Sequence, residues 1–162
     1  MIDIIFFDID GCMSDGGIYY SNTGIELKKF DVKDGFGISN WNKLGKISAI
    51  ITGRESPIIL KRAEELGIKH IRQGVKDKFT AACEILDIEN LTFDVAAAIG
   101  DDYNDIKLLN AVSLSFKPKD AMSAVKADIT LSRNGGNSAI REMIEYIIQK
   151  DGLSEIWFNK WL

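Results

Sequence analysis

Short apolar runs alternate along the chain with longer stretches in which apolar residues recur every three or four positions. Ile4-Ile5-Phe6-Phe7, Ile47-Ser48-Ala49-Ile50-Ile51, Val95-Ala96-Ala97-Ala98-Ile99 and Val112-Ser113-Leu114-Ser115 have the length and composition of buried strands. Shorter strands are expected near His70-Ile71 and at Ile129-Thr130-Leu131. Between them the helical period returns. One helix is expected from Asp34 to Leu44, with Phe36, Ile38, Trp41 and Leu44 apolar and Gly45 as its stop. A second opens at Ser56-Pro57, an N-cap followed by a first-turn proline, and runs through Ile59, Ala63 and Leu66 to Gly67. Others are expected from about Asp77 to Leu86, Asn104 to Leu109, Lys119 to Val125 and Asn137 to Ile148. One segment breaks the rhythm. Ile18-Tyr19-Tyr20 and Ile25 to Phe30 flank Ser21-Asn22-Thr23-Gly24, which reads as a β-hairpin.

Strand and helix in alternation predict an α/β fold: a three-layer, doubly wound parallel sheet with helices on both faces, plus a protruding hairpin at residues 17–30. A chain of 162 residues with no repeat, no low-complexity tract and only Pro57 and Pro118 as prolines is expected to form a single domain, 1–162. Residues 150–162 form a tail that is unusually aromatic, with Trp157, Phe158 and Trp161. It could pack on the domain, close over a site or join an interface.

Composition then narrows the chemistry. At 46% hydrophobic and 27% charged, the chain is ordinary globular protein, and a net charge of −4 offers no basic excess for nucleic acid. No apolar run approaches the ~20 residues of a membrane span, so no membrane association is expected. Met1-Ile2-Asp3 carries no basic start of a secretory signal, so the expected location is the cytoplasm. Cys12 and Cys83 form neither a disulfide framework nor a zinc pattern. The single histidine, His70, excludes a multi-histidine metal site and, unless it is the base, a Ser/His or Cys/His centre. Carboxylates, lysine, threonine and backbone must do the chemistry. His70 is expected at a strand start, Cys83 in the core, and Cys12 as a small space-filling residue near the site.

In open α/β sheets ligands bind beyond the carboxyl ends of the strands, so the polar residues that follow each apolar run are the candidates. Asp8 and Asp10, two apart as the first strand runs out, point to one side, and Gly11 lets the chain turn. Thr52-Gly53-Arg54 offers a hydroxyl, an amide and a guanidinium, a set suited to phosphate. Lys78 opens a helix. Asp101, Asp102 and Asp105 crowd three carboxylates into five residues, which costs repulsion unless a hard cation such as Mg2+ relieves it. Together these groups supply what phosphoryl transfer through an aspartyl-phosphate needs.

The ordered set Asp8-Ile9-Asp10-Gly11, Thr52-Gly53-Arg54, Lys78 and Gly100-Asp101-Asp102 with Asp105 resembles the haloacid dehalogenase (HAD) superfamily of phosphatases over nearly the whole chain. Asp15 to Tyr20, Phe30 to Ile38, Ile50 to Ser56 and Gln73 to Lys78 resemble, more closely, its small capless branch, the 3-deoxy-D-manno-octulosonate 8-phosphate (KDO 8-phosphate) phosphatases. Cys12-Met13-Ser14 departs from that branch, where a small apolar pair and threonine are usual. The resemblance implies a Mg2+-dependent phosphatase for a sugar-acid phosphate, acting in lipopolysaccharide precursor synthesis. It implies Asp8 as nucleophile and Asp10 as general acid and base. It implies Mg2+ held by the Asp8 carboxylate, the Asp10 backbone carbonyl and Asp101. Asp102 and Asp105 would orient metal waters and Lys78. Thr52, the Gly53 amide and Lys78 would bind phosphoryl oxygens, and Arg54 and Arg62 the substrate carboxylate.

Asp8 and Thr52 lie 44 residues apart and Lys78 and Asp101 23 apart, spans already filled by predicted elements, so no cap domain fits. The resemblance implies a homotetramer in which hairpin 17–30 of one copy covers a neighbour's site. Two other readings stay open at this point: a phosphatase for a sialic-acid-type 9-phosphate, and a phospho-accepting receiver-like signalling module.

Overall fold

A computed structural model describes residues 1–159. Six parallel strands form the central sheet in the order β5-β4-β1-β6-β7-β8: β1 (Ile4–Phe7), β4 (Ile47–Ile51), β5 (His70–Arg72), β6 (Ala96–Ile99), β7 (Leu114–Lys117) and β8 (Ile129–Thr130). β2 (Tyr19–Tyr20) and β3 (Glu26–Leu27) pair antiparallel as a separate hairpin. The β1 side chains alternate between two cores. Ile5 and Phe7 join Ile50, Ala97, Ile99 and Phe116 on one face, under α1 (Val32–Lys43), α2 (Pro57–Leu66) and α5 (Ala139–Lys150). Ile4 and Phe6 join Ala49, Ile51 and Ala98 on the other, under α3 (Lys78–Glu89) and α4 (Ile106–Ala111). Burial on both faces explains why these runs lack the in–out alternation of a half-exposed sheet.

The helices begin where capping chemistry allows. Asp31 caps α1 through the Lys33 amide, Ser56 caps α2 through the Ile58 amide ahead of Pro57, and Asp77 caps α3 through the Phe79 and Thr80 amides. Gly67 ends α2 in the left-handed region at φ +67°. This last cap matters to the site, because it returns the chain through β5 to place Lys78 at the start of α3.

Three expectations are corrected. Lys119 to Val125 is not a helix but a series of turns after Pro118. The Met122 amide donates to the Asp101 carbonyl and the Lys119 amide to the Arg133 carbonyl, so the segment is tied across strand ends, and only isolated turns (the Ala121 amide on Pro118, the Val125 amide on Met122) close within it. β7 starts two residues later than Val112, because the Ser113 amide donates to the carbonyls of Phe93 and Ala96. Cys83 is half-buried at the rim of α3, not in the core. The tail forms a short helix, α6 (Ser154–Asn159), with Trp157 buried on α5 and the Arg141 guanidinium over its ring at 5.8 Å. Trp161, counted in that tail, lies outside the described residues.

Candidate active site

β1 is flanked by β4 and β6, so the loops after these three strands meet at one sheet end. Between them lies a cleft of about 180 Å3 lined by Asp8, Asp10, Thr52, Gly53, Arg54, Asp101, Asp102 and Asn104. Lys78 sits beneath it, wholly buried. Its ammonium donates to Asp8 Oδ1 at 2.6 Å and to Asp105 Oδ1 at 2.5 Å. Burial opposes the charge on Lys78, yet the two carboxylates hold its pKa above the ordinary lysine value.

Asp105 also accepts the Asp101 and Asp102 amides on Oδ2, at 3.1 and 3.2 Å, and so shapes the loop that presents Asp101. Two glycines permit this crowding. A side chain at Gly11, where φ is +98°, would collide with the Asp101 carboxylate, and one at Gly100 with Asp105.

Asp8 and Asp101 face each other with the Cys12 thiol, their ligand atoms within 4.8 Å. Burial pushes the Asp8 carboxyl up to about 6, against the pull of Lys78. Burial, with Asp8 and Asp105 nearby, pushes Asp101 up to about 7. A pair of acids held at such cost is a place where a cation is stabilising, and an all-carboxylate pair of hard oxygens suits Mg2+.

Of the residues singled out from sequence, Asp8, Asp10, Thr52, Gly53, Arg54, Asp101 and Asp102 line one cleft, and Lys78 and Asp105 support its floor. Asp102 does not reach Lys78. Its carboxylate accepts from the Tyr103 amide at 2.7 Å. Arg62 lies apart from the cleft: it pairs with Glu65 at 3.2 Å, covers the Phe30 ring at 5.9 Å and lines a shallow groove between α1 and α2. A wider hollow of about 550 Å3 at the start of α5 offers Lys33, Arg133 and Arg141, but its acids are already engaged: Glu145 pairs with Arg141, and Glu142 accepts from the Ser132 and Arg133 amides.

Sequence reading missed Asn104, Lys28 and Glu26. The hairpin is turned inside out. Glu26 and Lys28 face the protein while Ile25 and Leu27 stand more than half exposed. Lys28 reaches Asp10, and Glu26 accepts from the Ser56 hydroxyl at 2.7 Å. The signal available was opposite charges two apart in a strand that alternates.

A family pattern described as haloacid dehalogenase-like hydrolase matches residues 71–144. A protein of Haemophilus influenzae named 3-deoxy-D-manno-octulosonate 8-phosphate phosphatase KdsC is 36% identical over 158 residues, 96% of this chain and 88% of that protein. The Yersinia pestis protein of the same name is 40% identical over 91% of this chain and 80% of its own length. The crystal structure of the Moraxella catarrhalis phosphatase, in complex with magnesium, phosphate and KDO, superposes with a TM-score of 0.92 at 35% identity, covering 96% of this chain and 91% of that one. On this likeness along both chains, the present protein belongs to the haloacid dehalogenase-like hydrolases, in the family of the KDO 8-phosphate phosphatases.

Proposed function

We propose that this chain hydrolyses KDO 8-phosphate to KDO and inorganic phosphate in two steps through an aspartyl-phosphate. The observation that carries the reading is the single cleft in which Asp8, Asp10, Thr52, Arg54 and Asp101 meet above buried Lys78. The Asp8 and Asp101 carboxylates and the Asp10 carbonyl would hold Mg2+. Bound there, the ion supplies the positive charge that shields a phosphate dianion from an anionic nucleophile.

An Asp8 carboxylate oxygen attacks phosphorus while the bond to the sugar oxygen breaks, and Asp10 gives that oxygen its proton. Asp10 then takes a proton from water as the water oxygen bonds to phosphorus and the Asp8–phosphorus bond breaks. The Thr52 hydroxyl, the Gly53 amide and the ammonium hydrogen left on Lys78 after its two carboxylate bonds face the phosphoryl oxygens. Arg54, half exposed at the rim, meets the sugar carboxylate. Arg62, on the far side of α2, has no part in this reading.

Phosphate release from KDO 8-phosphate, from sialic-acid-type 9-phosphates and from acetyl phosphate tests the proposal. The expected result is fastest turnover of the eight-carbon ester, lost with a chelator and restored by Mg2+. Faster turnover of a nine-carbon ester would reassign the substrate. Stoichiometric labelling by acetyl phosphate without turnover would show an aspartyl-phosphate that forms but is not hydrolysed, and would overturn the phosphatase reading.

A cleft of about 180 Å3 encloses little more than the phosphoryl end of such a substrate. The sugar must project toward the hairpin, whose outer face shows exposed Tyr19, Ile25 and Leu27. That uncovered apolar face supports self-association in which the hairpin of one copy covers a neighbour's site, in our reading within a homotetramer. Leu27→Asp should then yield smaller species in sedimentation velocity and a raised KM. An unchanged wild-type assembly larger than a monomer would place the interface elsewhere, and a fully active wild-type monomer would remove the shared cover. Among the described residues no helix is long and apolar enough to cross a membrane.

A further inference from the structure

The two oxygens of Asp10 are not equivalent. Oδ1 accepts from the Lys28 ammonium at 2.5 Å and from the Ser14 hydroxyl at 3.3 Å. Oδ2 is buried with no hydrogen-bond partner, and the Arg54 Nε stands 3.7 Å away, an ion pair beyond hydrogen-bonding distance. A buried carboxylate oxygen without a donor is costly, and it belongs to a residue that lines the cleft.

Lys28 is held as firmly as the oxygen it holds. Its side chain is wholly buried, and its ammonium lies 3.7 Å from Glu26 Oε1. Glu26 in turn accepts from the Ser56 hydroxyl at 2.7 Å, at the first turn of α2. Ser14 is equally fixed: it is fully buried, and its Oγ accepts from the Gly16 amide at 3.3 Å. The carboxylate plane of Asp10 is thus clamped from one side by two donors, one from the hairpin and one from the loop after β1.

We infer that Lys28, aided by Ser14, is the positioning residue that saturates Oδ1 of Asp10 and so assigns all proton transfer to Oδ2. The inference rests on the phosphatase reading above and adds to it which atom moves the proton and what aims it. In the first step Oδ2–H releases its proton to the sugar oxygen as the phosphorus–oxygen bond to the sugar breaks and the bond to Asp8 forms. In the second, Oδ2 receives a proton from the attacking water as the Asp8–phosphorus bond breaks. Oδ1 stays bonded to Lys28 and Ser14 throughout. The hairpin therefore serves its own copy's chemistry from within.

The test compares two leaving groups. An alkyl oxygen, as in KDO 8-phosphate, needs a proton to depart. The acidic phenol of 2,4-dinitrophenyl phosphate does not. kcat/KM reports the steps up to formation of the aspartyl-phosphate, so hydrolysis of that intermediate does not enter it. Lys28→Met should lower kcat/KM for the sugar ester about 100-fold, the scale of a misaimed general acid, and for the dinitrophenyl ester by less than about 3-fold. Lys28→Arg should recover part of the loss. With the dinitrophenyl ester, kcat of Lys28→Met should fall and phosphoenzyme accumulate, because the water-activating step still needs Oδ2.

Equal losses on both esters would show a merely structural role, and no loss on either would show no role; both overturn the inference. If Lys28→Met does not fold, Ser14→Ala removes the other Oδ1 donor and should show the same selectivity, more weakly. Equal losses or none in that variant would overturn the inference as well. Wild-type turnover of the sugar ester secures the phosphatase reading separately, so a failure of the selectivity falls on Lys28 alone.

Discussion

Asp8→Asn is expected to give a folded protein that releases phosphate at least about 10^4-fold more slowly than wild type, the scale of removing a covalent nucleophile. The amide keeps the volume of the carboxylate and an oxygen to accept from Lys78, so the floor of the cleft persists. It cannot form an acyl phosphate. The substitution also relieves a cost. Burial pushes the Asp8 carboxyl up to about 6 against the pull of Lys78, so its ionised form is disfavoured in the folded state. The folded protein then keeps a proton that the unfolded chain has lost between about pH 4 and about pH 6, and this group's contribution to stability falls as pH rises through that window. Metal-free Asp8→Asn should therefore show a shallower decline of melting temperature between pH 4 and pH 6, and a midpoint at neutral pH no lower than wild type. Phosphate release and thermal melts in chelator measure both. Mass spectrometry must show that the amide has not reverted to acid. Wild-type-like turnover by the intact amide would remove Asp8 as nucleophile.

The fold was legible because each of its signals is local. A run such as Ile4-Ile5-Phe6-Phe7 has no polar face, so only a doubly covered strand accommodates it. Ser56-Pro57 and Gly67 mark the ends of α2 by hydrogen-bonding and backbone sterics alone. The candidate acids were legible for a topological reason, since residues after strand ends in such a sheet share a crevice. What stayed hidden depends on partners distant in sequence. Nothing in Lys119 to Val125 reveals that the Met122 amide is taken by the Asp101 carbonyl. Arg62 and Arg54 share a helical spacing, but Arg54 precedes the cap of α2 and turns to Glu26 and Tyr20, while Arg62 turns to Glu65 and Phe30. Asp102 and Asp105 look alike in sequence, and only the fold sends Asp105 inward to Lys78. Lys28 was invisible because a hairpin with Ile25 and Leu27 predicts its apolar side inward, and this one faces the other way.

Lys78→Met is expected to cost about 3–5 kcal/mol of stability in metal-free protein, the range for removing one partner from a buried charge cluster. The ammonium is bonded to two carboxylates that are both buried, Asp8 at 2.6 Å and Asp105 at 2.5 Å. Methionine fills the alkyl stem but leaves those charges facing each other without a counterion, so the loss is electrostatic and not a cavity. Three consequences follow from that cause. The double variant Lys78→Met with Asp105→Asn should be more stable than Lys78→Met alone, because one of the two stranded charges is gone while the amide oxygen can still accept from the Asp101 and Asp102 amides. Saturating Mg2+ should recover part of the loss in the single variant, since a cation on Asp8 and Asp101 replaces some of the missing charge and binds only the folded chain. Turnover should stay low in all of them, because neither device restores a donor to the phosphoryl oxygens. Urea unfolding with chelator and with Mg2+, read beside phosphate release, separates these effects. A strictly additive double variant would show that Lys78 and Asp105 do not interact, and Asp8 alone would then be the carboxylate that the buried ammonium neutralises.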